Sequence, residues 1–308
     1  MSNGRVLCIV GPTAVGKSEV AERVACDLGG EVVSVDSMQV YCGMDIGTAK
    51  TPIYERACKL NMVDVAQFDK PYSVAQFQHD ARACVDELLG RPATPVLCGG
   101  TGLYLDAVID QMEFPHGVTG GEQRRVYEDI AREQGAEALH EMLAQRDLRS
   151  AEQIHPNNVR RVVRALEMLD EGVSYARQHE GLKQRAPYYE AVIWALVLPR
   201  ETLYARIDDR VERMFEVGLV DEVVSLREQG IEQCVTACKA IGYKEVLAYL
   251  QGSMTLVEAK ELVKRNTRRY AKRQLSWIRR DGRARQIDMS ALGTNDAVQT
   301  IVDDWRSM

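Results

Sequence analysis

The sequence has no run of eighteen apolar residues, which excludes a membrane-spanning helix of ordinary length. Its first residues, Met1-Ser2-Asn3-Gly4, lack the charged-then-apolar pattern of a secretory leader, so the expectation is a soluble, cytoplasmic protein with no membrane partner. Internal repeats and low-complexity tracts are absent, as is the N-K-x-D signature of guanine-specific switches. The eight cysteines do not form a zinc pattern: Cys234 and Cys238 are the only close pair, with no second pair and no His-x3–5-His. They read instead as small buried hydrophobes in a reducing compartment. A net charge of −6 would by itself argue against a nucleic-acid partner.

The distribution of that charge argues otherwise. Between Lys260 and Arg285 lie eleven basic residues and two acidic ones, which makes this segment +9 and the remainder −15. With 308 residues, 45% of them hydrophobic, the chain is long enough for a main domain with an elaboration.

Gly11-Pro12-Thr13-Ala14-Val15-Gly16-Lys17-Ser18 is a complete G-x-x-x-x-G-K-[ST] phosphate loop. An apolar run, Val6–Val10, precedes it and a helical pattern follows it, the strand–loop–helix context in which backbone N–H groups can cradle phosphate oxygens. Lys17 would neutralise those oxygens and Ser18 would offer a hydroxyl to Mg²⁺. Strands are expected at Arg5–Val10, Glu31–Val35, Thr94–Cys98 and Ala191–Leu198, alternating with helices at 16–29, 73–90 and 102–112. This is an α/β fold, a P-loop NTPase-like parallel sheet flanked by helices. From about 115 to 185 the pattern becomes helix after helix, at 121–134, 136–146 and 157–171, before the chain returns to a strand. The expected organisation is therefore a catalytic core at 1–114 and 186–308 with an all-helical insertion at 115–185. After Pro199 the chain reads helical to about Arg280.

Asp36 follows the second strand, where open α/β sheets place their ligand crevice. It is a general base, a Mg²⁺ holder through water, or a cap for the next turn. Gly47-Thr48-Ala49-Lys50 offers a hydroxyl and an ammonium, and Gly99-Gly100-Thr101-Gly102 permits close backbone approach or a helix start. Arg206 and Arg210 share one helix face, suited to clamping a diphosphate or to pairing with Asp208, Asp209 or Glu212. Arg160, Arg161 and Arg164 lie on the helix at 157–171, whose Val162 and Val163 serve a core face. Lys260, Lys264, Arg268 and Lys272 recur at i, i+4 beside Arg265, Arg269 and Arg273. Such a stripe needs a counter-charge, from acidic residues of the protein or, more sharply, from a phosphate backbone.

Together these residues resemble the bacterial tRNA dimethylallyltransferase family. The resemblance is carried by Gly11–Ser18, Asp36–Tyr41, Gly43–Lys50, Tyr72–Phe77, Gly99–Tyr104, Arg160–Glu167, Ile241–Glu245 and Ala271–Trp277, in the family's order over nearly the whole chain. It implies transfer of a dimethylallyl group from dimethylallyl diphosphate to N6 of the adenine 3′ of the anticodon in tRNA, with Mg²⁺; separately, no large apolar surface repeat is evident, so a monomer is the default expectation. Asp36 would be the general base, with Thr13, Lys17 and Ser18 at the diphosphate. The resemblance also implies that residues Gly11, Pro12, Thr13, Ala14, Val15, Gly16, Lys17, Ser18 and Arg210 bind the diphosphate. Asp36, Ser37, Met38, Gln39, Thr101, Arg124, Arg160, Arg161, Val162, Val163, Arg164, Lys239, Ala240, Ile241, Gly242, Tyr243 and Lys244 would contact tRNA, joined by Lys264, Arg268 and Lys272 of the basic stripe. The insertion would embrace the anticodon stem. Two stretches depart from the family pattern: Leu60-Asn61-Met62-Val63-Asp64 stands where His-His-Leu-Ile-Asp is common, and Glu171-Gly172 where Thr-Gly is usual. The competing reading is a P-loop nucleoside or small-molecule kinase binding ATP, which would use Asp36 to activate a hydroxyl.

Overall fold

The computed structural model describes residues 3–70, 72–114, 121–181 and 186–308. Its first elements are β1 (Arg5–Val10), α1 (Lys17–Asp27), β2 (Glu31–Ser34), β3 (Leu60–Asn61), α2 (Val74–Leu89), β4 (Pro95–Gly99) and α3 (Gly102–Ile109). Five helices follow: α4 (Glu122–Gln134), α5 (Ala136–Arg146), α6 (Leu148–Gln153), α7 (Val159–Asp170) and α8 (Tyr175–Gly181). The chain continues through β5 (Glu190–Val197), α9 (Arg200–Glu216), α10 (Leu219–Glu228), α11 (Tyr243–Leu250), α12 (Leu256–Ile278), β6 (Arg285–Asp288) and α13 (Met289–Ser307).

All paired strands are parallel, in the order β3-β2-β4-β1-β5-β6. β1 sits in the middle, and its residues from Val6 to Val10 are all buried, as expected of a strand covered on both faces. Alternation along the strand sends Val6, Cys8 and Val10 to one core and Leu7 and Ile9 to the other. The α/β class read from the sequence is therefore the observed one. Two strands escaped that reading: β3 has only two residues, and β6, Arg285-Gln286-Ile287-Asp288, buries Ile287 alone. Neither contains an apolar run long enough to register. Local signals define other ends, as where Ser73 and Gln76 close a capping box on α2 and Thr255 and Glu258 do so on α12.

The chain forms two compact units, residues 1–110 with 187–308, and residues 111–186. It leaves the first at Asp110 and re-enters at Pro187, where these two residues form an isolated antiparallel bridge. Within the second unit, Leu139, Leu143, Val162, Val163 and Leu166 form a core in which all are fully buried. No helix among the described residues is long and apolar enough to cross a membrane.

Candidate functional site

Three turns follow the carboxyl ends of β1, β2 and β4; the first two, with Cys98 and Gly99 at the end of β4, line one cavity of about 310 Å³, and Thr101 is not among the lining residues. The first is the phosphate loop. Ala14 (φ 66°) and Gly16 (φ 104°) both take left-handed backbone, curling the chain into the head of α1, whose N-cap Gly16 brings no side-chain cap to the first-turn amides among the described residues. Thr13, Lys17 and Ser18 line the cavity. Lys17 Nζ donates to Pro12 O at 2.9 Å, and burial lowers its pKa from 10.5 to about 8, with nearby Arg210 pushing the same way and Asp36 opposing. Val15 contributes backbone only: its side chain is fully buried.

The second turn follows β2. Asp36, Ser37, Met38 and Gln39 all line the cavity, and Asp36 Oδ1 accepts from Met38 N at 2.9 Å, leaving its second oxygen uncommitted by that bond. The same carboxylate that caps its turn thus faces the cavity that holds Lys17. Gln39 is fixed by Ser34 Oγ (2.8 Å) and by donating to Thr48 O (3.1 Å). The third turn follows β4, where Thr101 Oγ1 accepts from Ser37 N at 3.3 Å and lies 3.4 Å from Tyr270 OH. Its glycines serve packing: a Cβ at Gly102 would fall 2.3 Å from the Trp277 ring, and one at Gly100 would fall 2.1 Å from Gln274 Nε2.

α9 supplies the cationic wall. Arg210 lines the cavity, and Arg206, Arg210 and Arg213 together face Ala14 and residues 16–19 across an adjoining opening. Burial lowers the Arg210 pKa, opposed by Asp36 and reinforced by Arg213. Of the two roles open to Arg206 and Arg210, the structure adopts the one facing the loop. Two of the three acids named as alternative partners are used elsewhere: Glu212 accepts from Lys260 at 3.1 Å and Lys264 at 2.6 Å, and Asp208 takes Arg268 at 2.5 and 2.7 Å.

That pairing corrects the reading of the basic stripe. The counter-charge sought from a phosphate backbone is provided to Lys264 and Arg268 by α9, while Lys272 remains exposed. Three other carried-over positions face inward. Val162 and Val163 are fully buried in the second unit's core, their flanking arginines being the residues at the surface. Tyr243 is fully buried against Gly47, where a Cβ would fall 2.4 Å from its ring, and its hydroxyl donates to Glu222 at 2.6 Å. Lys50 is likewise committed inward, to Tyr41 O (2.6 Å), Asp45 (2.8 Å) and Asp64 (2.5 Å), and Thr48 Oγ1 donates to Met44 O at 2.5 Å. The Gly47–Lys50 stretch shapes the cavity, with Gly47 to Ala49 and Thr51 on its wall, and does not aim an ammonium into it.

Lys239, Ala240, Ile241 and Gly242 also line the cavity, and Lys244 is exposed beside Glu245. In the second unit Arg160 and Arg161 are exposed, whereas Arg124 and Arg164 each lie 3.7 Å from the buried Glu167 carboxylate. Asn61, at one of the histidine positions of the family pattern, donates to Glu31 (2.9 Å) and to Val32 O (3.2 Å). Sequence reasoning did not assign Thr267, Tyr270 and Gln274 to the site, although all three line the cavity from α12. Their i, i+3, i+7 spacing was the available signal, with Gln274 alone inside the family-like block Ala271–Trp277. Burial raises the Tyr270 pKa to about 12, so its hydroxyl is protonated at neutral pH.

The chain is similar to known proteins over nearly its whole length. Family descriptions for IPP transferase match residues 39–281, and for isopentenyl transferase residues 4–60. A tRNA dimethylallyltransferase of Geobacillus thermodenitrificans is 44% identical over 288 residues, 93% of this chain and 91% of its own. Another, of Carboxydothermus hydrogenoformans, is 42% identical over 97% of both chains. The crystal structure of a tRNA isopentenylpyrophosphate transferase from Bacillus halodurans superposes with a TM-score of 0.73 at 40% identity, covering 98% of this chain and 96% of that one. A eukaryotic dimethylallyltransferase captured acting on tRNA gives 0.79 at 27% identity, covering 99% and 80%. At 42–44% identity over 93–97% of its length, and with the phosphate loop, Asp36 and Arg210 around one cavity, the chain is a member of the tRNA dimethylallyltransferase family.

Proposed function

We propose that the protein transfers the dimethylallyl group of dimethylallyl diphosphate to the exocyclic N6 of the adenosine immediately 3′ of the anticodon, releasing diphosphate. The observation that carries this reading is the shared cavity: a diphosphate grip, Thr13, Lys17, Ser18 and Arg210, on the same walls as the carboxylate of Asp36, with the buried Glu22, which accepts from Ala57 N, as the second acid there. The diphosphate lies against the head of α1, where backbone amides, Lys17 and Arg210 stabilise the charge that develops as the allylic C–O bond breaks. The adenine amine is a weak nucleophile, and Asp36 accepts its proton as N6 attacks the allylic carbon. Reaching that carbon requires the base to leave the anticodon stack and enter the cavity.

The donor set fits Mg²⁺. Ser18 and Asp36 offer hard oxygens to one space, and the described residues contain no cluster of three His, Cys, Asp or Glu side chains, so phosphate oxygens and water would complete the coordination. When bound, Mg²⁺ supplies further positive charge to the leaving group. Arg160 and Arg161 of the helical unit, with Lys239 and Lys244 of the first, are the exposed cations suited to tRNA phosphates. The protein acts as a cytoplasmic monomer.

The test is incubation with Mg²⁺, radiolabelled dimethylallyl diphosphate and unmodified tRNA having adenines at the third anticodon base and its 3′ neighbour. Label in the tRNA is the expected result. Transfer from ATP to a small molecule, with the tRNA untouched, would replace this reading with the kinase one.

A further inference from the structure

Along α12, Thr267, Tyr270 and Gln274 recur at helical spacing and all line the cavity. Gln274 differs from its neighbours in how completely its amide is used. Its side chain is 5% exposed; Oε1 accepts the Thr13 N–H at 2.8 Å, and Nε2 donates to Gly100 O at 3.0 Å. Thr13 follows β1 and Gly100 follows β4, adjacent strands whose last paired residues are Val10 and Gly99. One side chain therefore ties the cavity-lining turn after β1 to the turn that follows β4.

The chemistry of the two bonds fixes the residue type. The Thr13 amide needs an acceptor and the Gly100 carbonyl needs a donor, and a primary amide presents both at one end. The opposing backbone is cut to suit, since a Cβ at Gly100 would fall 2.1 Å from Nε2. Amides of a phosphate loop ordinarily turn toward the phosphates. That of Thr13 is turned instead toward α12, which fixes the direction in which the Thr13 side chain enters the cavity.

We propose that Gln274 is a positioning residue for group transfer: it holds Thr13 at the leaving diphosphate and acts on the reaction through Thr13. This inference rests on the dimethylallyl-transfer reading above. A hydrophobic residue of similar length would fill the same space, so the value of the amide lies in its two bonds, and both end on turns of the site. Misplacement of a positioning group by about 1 Å can cost on the order of 100-fold in rate.

The experiment is a double-mutant cycle on the full chain with Thr13→Val, Gln274→Met and the pair, reading kcat, the KM for dimethylallyl diphosphate, tRNA affinity and thermal melting. Gln274→Met is expected to lower kcat roughly 10- to 100-fold with tRNA affinity unchanged. On the Thr13→Val background the same change should cost less than about twofold. If Gln274→Met does not fold, Gly100→Ala, whose Cβ displaces Nε2, takes its place in the cycle. Full additivity on the Thr13→Val background, or wild-type kcat in Gln274→Met, overturns the proposal. A wild-type protein that does not prenylate tRNA overturns the transfer reading itself and this inference with it, a failure visible before any variant is made.

Discussion

Lys264 Nζ lies 2.6 Å from Glu212 Oε1, and the same carboxylate accepts from Lys260 at 3.1 Å. Hydrogen bonds from the two lysines lower the Glu212 pKa, and Glu212 with Glu261 raises that of Lys264. A lowered carboxylate pKa adds stability that is complete above the ordinary glutamate range and lost as pH falls through the lowered value. Glu212→Gln should therefore flatten the acid limb of a stability–pH curve while costing about 0.5–1 kcal/mol at pH 7, the scale for pairs this exposed. Thermal melts of both proteins from pH 7 to pH 3 check it.

The same ion pairs separate stability from tRNA affinity. Lys264→Ala and Arg268→Ala should lower the melting temperature and leave the salt dependence of tRNA binding nearly unaltered, since Glu212 and Asp208 hold these cations. Arg160→Ala with Arg161→Ala should leave melting unchanged and reduce the slope of log affinity against log salt by about 1 to 2. Filter binding from 50 to 200 mM salt distinguishes the two pairs of variants.

Asp36→Asn keeps the size of the side chain and an acceptor for Met38 N but cannot take a proton. Turnover should fall roughly 10²- to 10⁴-fold, the usual contribution of general-base catalysis, with tRNA and diphosphate affinities retained. Single-turnover kinetics beside equilibrium binding measure both quantities. Unchanged turnover would remove Asp36 as the base.

Burial lowers the Lys17 pKa to about 8, so in the free protein its charge is lost as pH rises through that value. The KM for dimethylallyl diphosphate should rise above pH 8. Stability should move oppositely between about 8 and 10.5, where the unfolded lysine binds the proton more tightly than the folded one and unloading the buried charge favours the fold. Steady-state kinetics and melting from pH 7 to 10 test these two signs together.

Glu222 accepts from the amides of Asp45 (3.0 Å), Ile46 (2.7 Å) and Gly47 (3.3 Å) and from Tyr243 OH (2.6 Å). Its removal strands several donors behind the cavity wall, one of them the fully buried Tyr243. Glu222→Ala should cost about 2–3 kcal/mol, measured by denaturant unfolding.

Contiguous chemistry was legible in the sequence and tertiary chemistry was not. The phosphate loop must be continuous, because successive amides have to converge on one anion, and Gly11–Ser18 announces strand, turn and helix together. Four apolar strands were visible for the same local reason, within about a residue of their observed ends. The contact of Gln274 with Thr13 spans 261 residues and depends on how α12 packs, which no local pattern encodes. The stripe from Lys260 to Lys272 was legible as a stripe, but the acids that answer it, Asp208 and Glu212, lie on a separate helix at matching spacing. Lys50 looked like a ligand-facing cation until its three oxygen partners were in view.

The most direct test of the central claim is mass spectrometry of the nucleosides of tRNA treated with the protein, Mg²⁺ and dimethylallyl diphosphate. Digestion should yield an adenosine carrying one dimethylallyl group on N6, mapped by fragmentation to the position 3′ of the anticodon and missing from the Asp36→Asn reaction. Unmodified adenosine at that position, in tRNA that the wild-type protein demonstrably binds, would contradict it.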